Sequence, residues 1–164
     1  MMGVTESTHE VEVRPARPDE LGQVASLRWH WVHGQPYGGA NLPSHDDYVA
    51  AAVAWARARA DSHVAFIARS SDAAVGMAWL ALLERVPAPD RMQRVNGDLQ
   101  SCYVLREFRG RGIGNRLVAA VLQEAGRRGC EHVTVHASPL SVPMYERAGF
   151  EHSPELLWNV PDGA

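Results

Sequence analysis

The chain has no lysine, and all 16 of its basic residues are arginine. The Walker-type phosphate loop needs a lysine that reaches the phosphates, so this class of nucleotide-binding protein is excluded. An arginine-only set of basic residues in an alanine-rich chain reflects genome composition. We therefore expect a bacterial source with a GC-rich genome.

Cysteine and long apolar runs are scarce as well. Cys102 and Cys130 are the only two cysteines, and no CxxC pair occurs, which argues against a structural zinc site or a disulfide framework. No stretch of 18 apolar residues is present, and residues 1–10 lack the apolar segment of a signal peptide. We expect a cytoplasmic protein that does not enter a membrane.

Excess positive charge is also missing, with a formal net charge of -3 and a pI near 6.2. This balance argues against nucleic acid or an anionic membrane as the main partner. The eight histidines include two spaced pairs, His30 with His33 and His132 with His136, but neither pair has a third ligand nearby in sequence. We predict no metal site, and no GxSxG nucleophile motif is present.

The composition that remains is that of a folded domain. A chain of 164 residues with 46% hydrophobic and 21% charged residues suits a single domain with one core. We predict a disordered tail over residues 1–10 and one domain over residues 11–164.

The first half of the domain carries two helical and three strand patterns. A strand is predicted over 11–14, and a helix capped by Asp19 runs to about residue 32 and ends at Gly34. A glycine-rich loop over 34–43 precedes a second helix, which Ser44 caps and which ends near residue 60. Strands are predicted over 63–69 and 74–84, joined by a hairpin turn.

The second half alternates strand and helix, which predicts a mixed α/β sheet with flanking helices. After a long loop, a strand is predicted over 98–105 and a long helix over 112–128, with Gly129 as its stop signal. Further strands are predicted over 131–137 and 156–160.

Residues 102–117 form the most informative stretch, because a strand, a glycine-rich turn and a helix follow one another there. Such a turn presents unpaired backbone N–H groups at the positive end of a helix dipole, which favours an anion. A GxGxxG dinucleotide fingerprint is excluded, since glycine would be needed where Asn115 or Leu117 stands.

The pattern that fits this stretch is RxxGxG, formed by Arg109, Gly112 and Gly114 after a strand that ends in Tyr-Val. A second block follows at residues 144–150, with the sequence MYERAGF. Together these blocks resemble the GNAT superfamily of acyl-CoA-dependent N-acetyltransferases. The resemblance covers residues 98–150 well and the first half of the chain only in outline.

The resemblance implies a single GNAT-like domain with a mixed, mostly antiparallel sheet and a central, splayed pair of parallel strands flanked by helices. It implies acetyl-CoA as cosubstrate and direct transfer to a primary amine in a ternary complex. In the family the backbone of the glycine-rich turn binds the pyrophosphate, and the end of the preceding strand binds the pantetheine arm. The corresponding residues here are Val104, Leu105, Arg109, Gly110, Arg111, Gly112, Ile113, Gly114 and Asn115.

Three further positions follow from the resemblance. Tyr145 occupies the position of the usual general acid and is assigned to protonate the departing thiolate; the alternative is a core residue beside Phe150. Asp98 is the candidate base or, alternatively, a cap at the start of its strand. Ser138 replaces an asparagine that commonly binds pantetheine, and Pro143 is expected to kink or shorten the helix that carries Tyr145.

Other residues have alternative roles in proton transfer. Gln100 lies on the same strand face as Asp98 and could position a water molecule, but it cannot accept a proton. Glu84 and His136 are reserve candidates for the base, and direct exchange with solvent would also suffice.

The acceptor itself is open to several interpretations. Trp29, Trp31, Trp55 and Trp79 are mostly core residues, but one or two could line the acceptor pocket, where Arg28 could bind a carboxylate. Small-molecule amines, such as aminoglycosides, polyamines or amino-acid derivatives, are favoured over protein N-termini or lysines, and the negative net charge slightly favours a cationic acceptor. Two alternatives are transfer of a longer acyl group and acyl-CoA sensing without turnover. Homodimerisation is a habit of the family.

Overall fold

A computed structural model describes residues 10–34 and 42–161. The predicted N-terminal tail, apart from Glu10, and most of the predicted glycine-rich loop lie outside the described residues. The strands are β1 (Val11–Pro15), β2 (His63–Ser70), β3 (Ala73–Glu84), β4 (Val95–Val104) and β5 (Val133–Val135). The helices are α1 (Leu21–His33), α2 (His45–Arg57), α3 (Ile113–Arg127) and α4 (Val142–Arg147).

The five strands form one sheet in the order β1-β2-β3-β4-β5. The first four pair antiparallel, and β4 pairs with β5 in parallel over Gly97, Asp98 and Leu99. The pairing ends at Leu99 and Val135, where β5 stops, although β4 continues to Val104. This confirms the predicted mixed, mostly antiparallel sheet with a splayed parallel pair.

The parallel pair lies at the edge of the sheet in the described part of the chain, and not at its centre. The prediction of a last strand over 156–160 was wrong, because this segment pairs with no strand. The Leu156 N–H donates locally, to the Ser153 carbonyl at 3.4 Å. Leu157 and Trp158 are 89% and 79% exposed. Residues with a high β propensity need a neighbouring strand and a surface to pack on, and neither is provided here.

Helices cover both faces of the sheet. On one face α3 buries Leu117, Val118 and Val121 against Phe66 and Leu80. On the other face α1 buries Val24 and Leu27 against Ile67 and Met77 of β2 and β3. Each fully buried side chain of this size contributes roughly 1.5–3 kcal/mol through removal of apolar surface from water. The two cores hold the ends of β4 and β5, where the predicted site lies.

The start of α1 differs from the prediction. A short 3₁₀ turn, Pro18–Glu20, precedes the helix, and Asp19 does not cap it. Glu20 is buried, and its carboxylate accepts hydrogen bonds from both terminal nitrogens of Arg14 at 2.7 and 2.8 Å. These bonds lower the pKa of Glu20 to about 2. The ion pair ties β1 to α1, and no sequence spacing indicated it.

Other predicted helix ends are confirmed. Ser44 caps α2, since its Oγ accepts the Asp47 N–H at 3.2 Å, and Gly34 follows the last residue of α1. Gly129 follows α3 with a positive φ of 72°, a conformation that glycine adopts without strain.

A bulge in β4 decides which side chains face each layer. Ser101 has a φ of 59°, and the register with β3 shifts at this point. Leu99 and Cys102 both pack in the α3 core, whereas Tyr103 packs in the α1 core. Regular alternation would have placed Cys102 and Tyr103 on the opposite faces. The bulge therefore brings Cys102 to the α4 side and Tyr103 to the α1 side.

Candidate active site

The loop before α3 has the backbone that its glycine spacing requires. Gly110 and Gly112 both have a φ of 74°, in the left-handed region where other residues are strained. At Gly114 an added Cβ would lie 2.9 Å from the Met144 sulfur, so α4 approaches the loop closely here. The three glycines thus set the loop conformation and its contact with the helix that carries Tyr145.

This loop presents a row of unused backbone donors. Among the described residues, none of the six backbone N–H groups of 110–115 donates to a protein acceptor. The first turn of α3 closes only with the Arg116 N–H, which donates to the Gly112 carbonyl at 3.1 Å. Unpaired amides at the start of a 15-residue helix form a strong anion site, because the helix dipole adds to them.

The two loop arginines brace the loop. Arg109 Nε donates to the Val104 carbonyl at 2.9 Å, and its guanidinium lies 5.6 Å from the centre of the Tyr103 ring. Arg111 Nη2 donates to the Glu107 carbonyl at 3.3 Å. Each guanidinium keeps further N–H groups, so bracing the loop leaves donors for a bound anion.

A cleft of about 670 Å³ opens between the separated ends of β4 and β5. Most of the predicted cofactor residues line it: Val104, Arg109, Gly110, Gly112, Ile113, Gly114, Asn115 and Ser138. Arg111 and Leu105 are not part of this lining. The Leu105 N–H donates to the Val75 carbonyl at 2.9 Å, so it is not free to bind a ligand.

Tyr145 lines the same cleft and is only 6% exposed. Its ring packs edge-on against Phe150, with ring centres 5.5 Å apart, so it is a core residue and a cleft residue at once. Burial, together with the Cys102 thiol beside it, raises the pKa of Tyr145 above its usual value. Burial likewise raises the pKa of Cys102 to about 12. At neutral pH both groups therefore stay protonated.

The surroundings of Ser138 and the position of Pro143 in α4 differ from what the sequence predicted. Ser138 is exposed at the rim of the cleft, and its hydroxyl is hydrogen-bonded to that of Ser141 at 3.0 Å. Pro143 lies in the first turn of α4, where a backbone N–H has no partner within the helix. The helix is short, with six residues, and Pro143 is its second residue, so it does not kink the helix.

Asp98 is held from two sides on the other face of the sheet. Thr134 Oγ1 donates to Asp98 Oδ1 at 3.1 Å, and Gln100 Nε2 donates to Asp98 Oδ2 at 2.8 Å. Asp98 does not line the cofactor cleft. Sequence reasoning missed Thr134, because its proximity to Asp98 comes from the parallel pairing of β4 with β5. The Gln100 side chain, which was expected to position a water molecule, donates its hydrogen bond directly to Asp98.

A second groove, of about 610 Å³, lies along the outer side of β5. Thr134 and Tyr145 line it, so the groove and the cleft meet at Tyr145. The lining includes three carboxylates, those of Glu146, Glu151 and Glu155, together with Arg85, His132 and His152. The His152 Nε2 lies 3.4 Å from the Glu146 carboxylate. Of the reserve candidates for the base, His136 lines the cleft, whereas Glu84 lines neither space.

Several histidines surround a tryptophan between α1 and α2. The His33 ring stacks on Trp29 with ring centres 3.5 Å apart, and His45 meets the same ring edge-on. In the part of the chain that the structure describes, no group of three potential ligands is arranged to hold a metal ion. Within those same ranges, no helix has both the length and the apolar character that crossing a membrane requires.

Comparisons with known proteins agree with this geometry. The model of the acetyltransferase (GNAT) family matches residues 25–150. An aminoglycoside N(6')-acetyltransferase type 1 of Salmonella typhimurium is 29% identical over 141 residues, or 80% of this chain and 92% of that protein. A glucosamine 6-phosphate N-acetyltransferase of Trypanosoma brucei brucei is 27% identical over 142 residues, or 86% of this chain and 89% of that protein.

Solved structures show the same fold. A predicted acetyltransferase with acetyl-CoA from Clostridium acetobutylicum superposes with a TM-score of 0.73 at 20% identity, over 92% of this chain and 96% of that chain. The chain belongs to the acetyltransferase (GNAT) family: it is an acyl-CoA-dependent N-acetyltransferase with acetyl-CoA as its cosubstrate.

Proposed function

We propose that the acceptor is a cationic small molecule, with an amino sugar as the favoured class. The observation that carries this proposal is the meeting of two spaces at Tyr145. One is a cleft whose lining includes the loop with unpaired backbone N–H groups, which can bind an anion. The other is a groove lined by three carboxylates. Such a pair of sites suits an anionic acyl donor and a cationic amine acceptor.

On the cofactor side, the amides of 110–115 hold the pyrophosphate. The fit is supported by the unused N–H groups and by the two left-handed glycines, which allow a phosphate to approach the main chain. Arg109 and Arg111 add charge from the rim of the loop. Val104 offers main-chain groups to the pantetheine arm, and Ser138 lies where it can bind the same arm.

The reaction forms an amide bond and breaks a thioester bond. The amine nitrogen attacks the thioester carbon, and the carbon–sulfur bond then breaks with its electron pair on sulfur. Tyr145 donates a hydrogen bond and then a proton to the departing sulfur, which its raised pKa permits because the hydroxyl stays protonated at neutral pH. Asp98 accepts the proton that the amine loses, and it passes that proton to solvent.

The nature of the acceptor is supported by charge and by likeness. Glu146, Glu151 and Glu155 give the groove a surplus of carboxylates that attracts ammonium groups. Two of the relatives bear names of enzymes for aminoglycosides and for glucosamine 6-phosphate, both of which are amino sugars. Protein lysines and N-termini are less favoured, since a short polyamine or amino sugar fits a groove of this volume.

We also expect a cytoplasmic location in a bacterium and association into a homodimer. Size-exclusion chromatography with light scattering measures the assembly state directly. A mass of twice 18.0 kDa is the expected result, and a mass of 18.0 kDa at all concentrations would contradict it.

The test of the proposed function is an acetyl-transfer assay followed by CoA thiol release. The acceptors are kanamycin, glucosamine, glucosamine 6-phosphate, spermidine and a lysine peptide, each with acetyl-CoA and with a longer acyl-CoA. We expect the amino sugars to give the highest kcat/KM. Turnover only with the peptide would contradict the proposed acceptor class, and acyl-CoA binding without turnover on any amine would favour a sensor.

A further inference from the structure

One side chain, that of Thr134, connects the groove to the candidate base. Thr134 lines the groove together with Tyr145, whereas Asp98 lines neither the groove nor the cleft. The Thr134 hydroxyl donates to Asp98 Oδ1 at 3.1 Å. This hydroxyl therefore lies between the space proposed for the acceptor amine and the carboxylate proposed to take its proton.

The pairing of the two parallel strands fixes this contact. Asp98 and Thr134 are register partners in the middle of the parallel pairing of β4 with β5. The two valines that flank Thr134, Val133 and Val135, pack in the α3 core. The Thr134 side chain therefore points to the opposite face of the sheet, where it meets Asp98. Threonine is branched at Cβ and has few χ1 rotamers, which keeps the hydroxyl in place.

The two donors to Asp98 differ in what they can do with a proton. Gln100 Nε2 donates to Asp98 Oδ2 at 2.8 Å, but an amide cannot accept a proton and pass it on. A hydroxyl has one hydrogen and two lone pairs, so Thr134 can accept from one group while it donates to another. Within residues 10–34 and 42–161, no group donates to the Thr134 oxygen, so its lone pairs are available to an amine in the groove.

The Thr134 hydrogen has a second acceptor, because the hydroxyl also lies 3.4 Å from the Gly97 carbonyl. The Asp98 carboxylate is nearer, and a hydrogen bond to an ionised acceptor is the stronger of the two. The hydroxyl proton is thus directed mainly toward Asp98.

We propose that Thr134 is a catalytic proton relay between the acceptor amine and Asp98. The proposal rests on the proposed function, in which the groove holds the amine and Asp98 is the base. The amine nitrogen gives its proton to Thr134 Oγ1 while the original hydroxyl proton moves to Asp98 Oδ1. One N–H bond and one O–H bond break, and a new O–H bond forms on each of the two residues. The electron pair left on nitrogen attacks the thioester carbon, and Asp98 then returns its proton to solvent.

The test compares Thr134→Val with Thr134→Ser in the acetyl-transfer assay, with kanamycin and glucosamine as acceptors. Valine has nearly the same shape without the hydroxyl, so kcat/KM for the amine at pH 7 should fall by about a hundredfold, as expected for loss of a base. Serine keeps the hydroxyl and should retain kcat/KM within about threefold. A loss below about tenfold in the valine variant, or an equal loss in the serine variant, would overturn the relay.

The pH dependence separates a relay from a structural role. An amine that has already lost its proton needs no base, so the loss in Thr134→Val should shrink as the pH rises through the pKa of the acceptor amine. A packing defect would lower kcat/KM by the same factor at every pH, and that result would overturn the relay. The double variant with Asp98→Asn should lose little more than Asp98→Asn alone, because both residues act in one proton path.

The chain offers a matched control in Ser62, whose hydroxyl donates to the Arg59 carbonyl at 3.4 Å and which lines neither space. Ser62→Ala should leave kcat/KM unchanged. Acetyl-CoA affinity in calorimetry should stay the same in Thr134→Val, because Thr134 does not line the cofactor cleft. Thermal unfolding checks each variant, and Thr134→Ala, with the same expected loss, replaces the valine variant if that variant does not fold.

The outcomes distinguish the relay from the proposed function. A loss of activity in Asp98→Asn but not in Thr134→Val would overturn the relay alone. Full activity in Asp98→Asn would overturn the base and the relay together. If the wild type turned over only a lysine peptide, the proposed acceptor class would be overturned, and the same variants would test the relay with that peptide.

Discussion

The two sides of the site that meet at Tyr145 are built from different parts of the chain. The proposed cofactor side is mostly backbone, because the residues of one short loop with unpaired amides line the cleft. The proposed acceptor side consists of side chains, among them Thr134 and Glu151 in the groove. Asp98 lines neither space and is linked to the groove through the hydrogen bond that it accepts from Thr134. A backbone site serves one constant ligand, whereas a side-chain site can change its ligand by substitution.

The largest effect is expected where the two sides meet. Tyr145→Phe removes the proposed proton donor and keeps the ring that packs on Phe150, so kcat should fall by about a thousandfold with little change in acetyl-CoA affinity. The control is Tyr48→Phe on α2, because Tyr48 lines neither the cleft nor the groove. Steady-state kinetics and calorimetry measure the two quantities. A kcat within a few-fold of wild type would remove Tyr145 from the mechanism.

Asp98→Asn tests the acceptor side alone. The substitution keeps the shape of the side chain but removes the proposed base, so kcat/KM for the amine should fall by about a hundredfold, while acetyl-CoA affinity stays the same. Asp90→Asn, in an exposed turn, is the matched control. If both variants retain full activity, the amine loses its proton directly to solvent.

Gly112→Val tests the cofactor side alone. A β-branched residue with a φ of 74° is strained by about 1–3 kcal/mol. Relief of this strain shifts the loop amides that are proposed to bind the anion. We therefore expect acetyl-CoA affinity to fall by at least about tenfold. Gly129→Val brings comparable strain, with a φ of 72°, at the other end of α3. Both variants should lose stability in thermal unfolding, and only the first should lose affinity. Equal affinity losses in both would mean that the loss follows from stability.

The smallest effect concerns pH. Because the pKa of Tyr145 is raised above its ordinary value near 10, the hydroxyl remains protonated and able to donate as the pH rises. We therefore expect no fall in kcat caused by Tyr145 between pH 7 and about pH 10. A basic limb with an apparent pKa below 10 that disappears in Tyr145→Phe would contradict this assignment.

The same difference between backbone and side chains explains what the sequence could predict. The loop was predictable because Gly110, Gly112 and Gly114 constrain the backbone locally, and the spacing of these residues is visible in one stretch. The mixed sheet followed from alternating strand and helix patterns. Thr134 beside Asp98 was not predictable, because the two residues are far apart in sequence and meet only through strand pairing.

Two other features required three-dimensional information. The bulge at Ser101 reverses the alternation of β4, and a serine gives no local signal for a positive φ. The predicted last strand over 156–160 failed for the opposite reason, since its sequence has a high β propensity but no strand lies beside it. Local patterns thus predict what one segment does alone, and they fail where a second segment decides.

The central claim, that the amides of 110–115 hold a pyrophosphate, is tested most directly by calorimetry with two ligands. Acetyl-CoA carries the pyrophosphate, whereas S-acetylpantetheine has the same thioester and arm without it. We predict that acetyl-CoA binds with a micromolar Kd and that S-acetylpantetheine does not bind detectably at the same concentrations. Equal affinity for the two ligands, or no binding of acetyl-CoA at millimolar concentration by the folded protein, would contradict the claim.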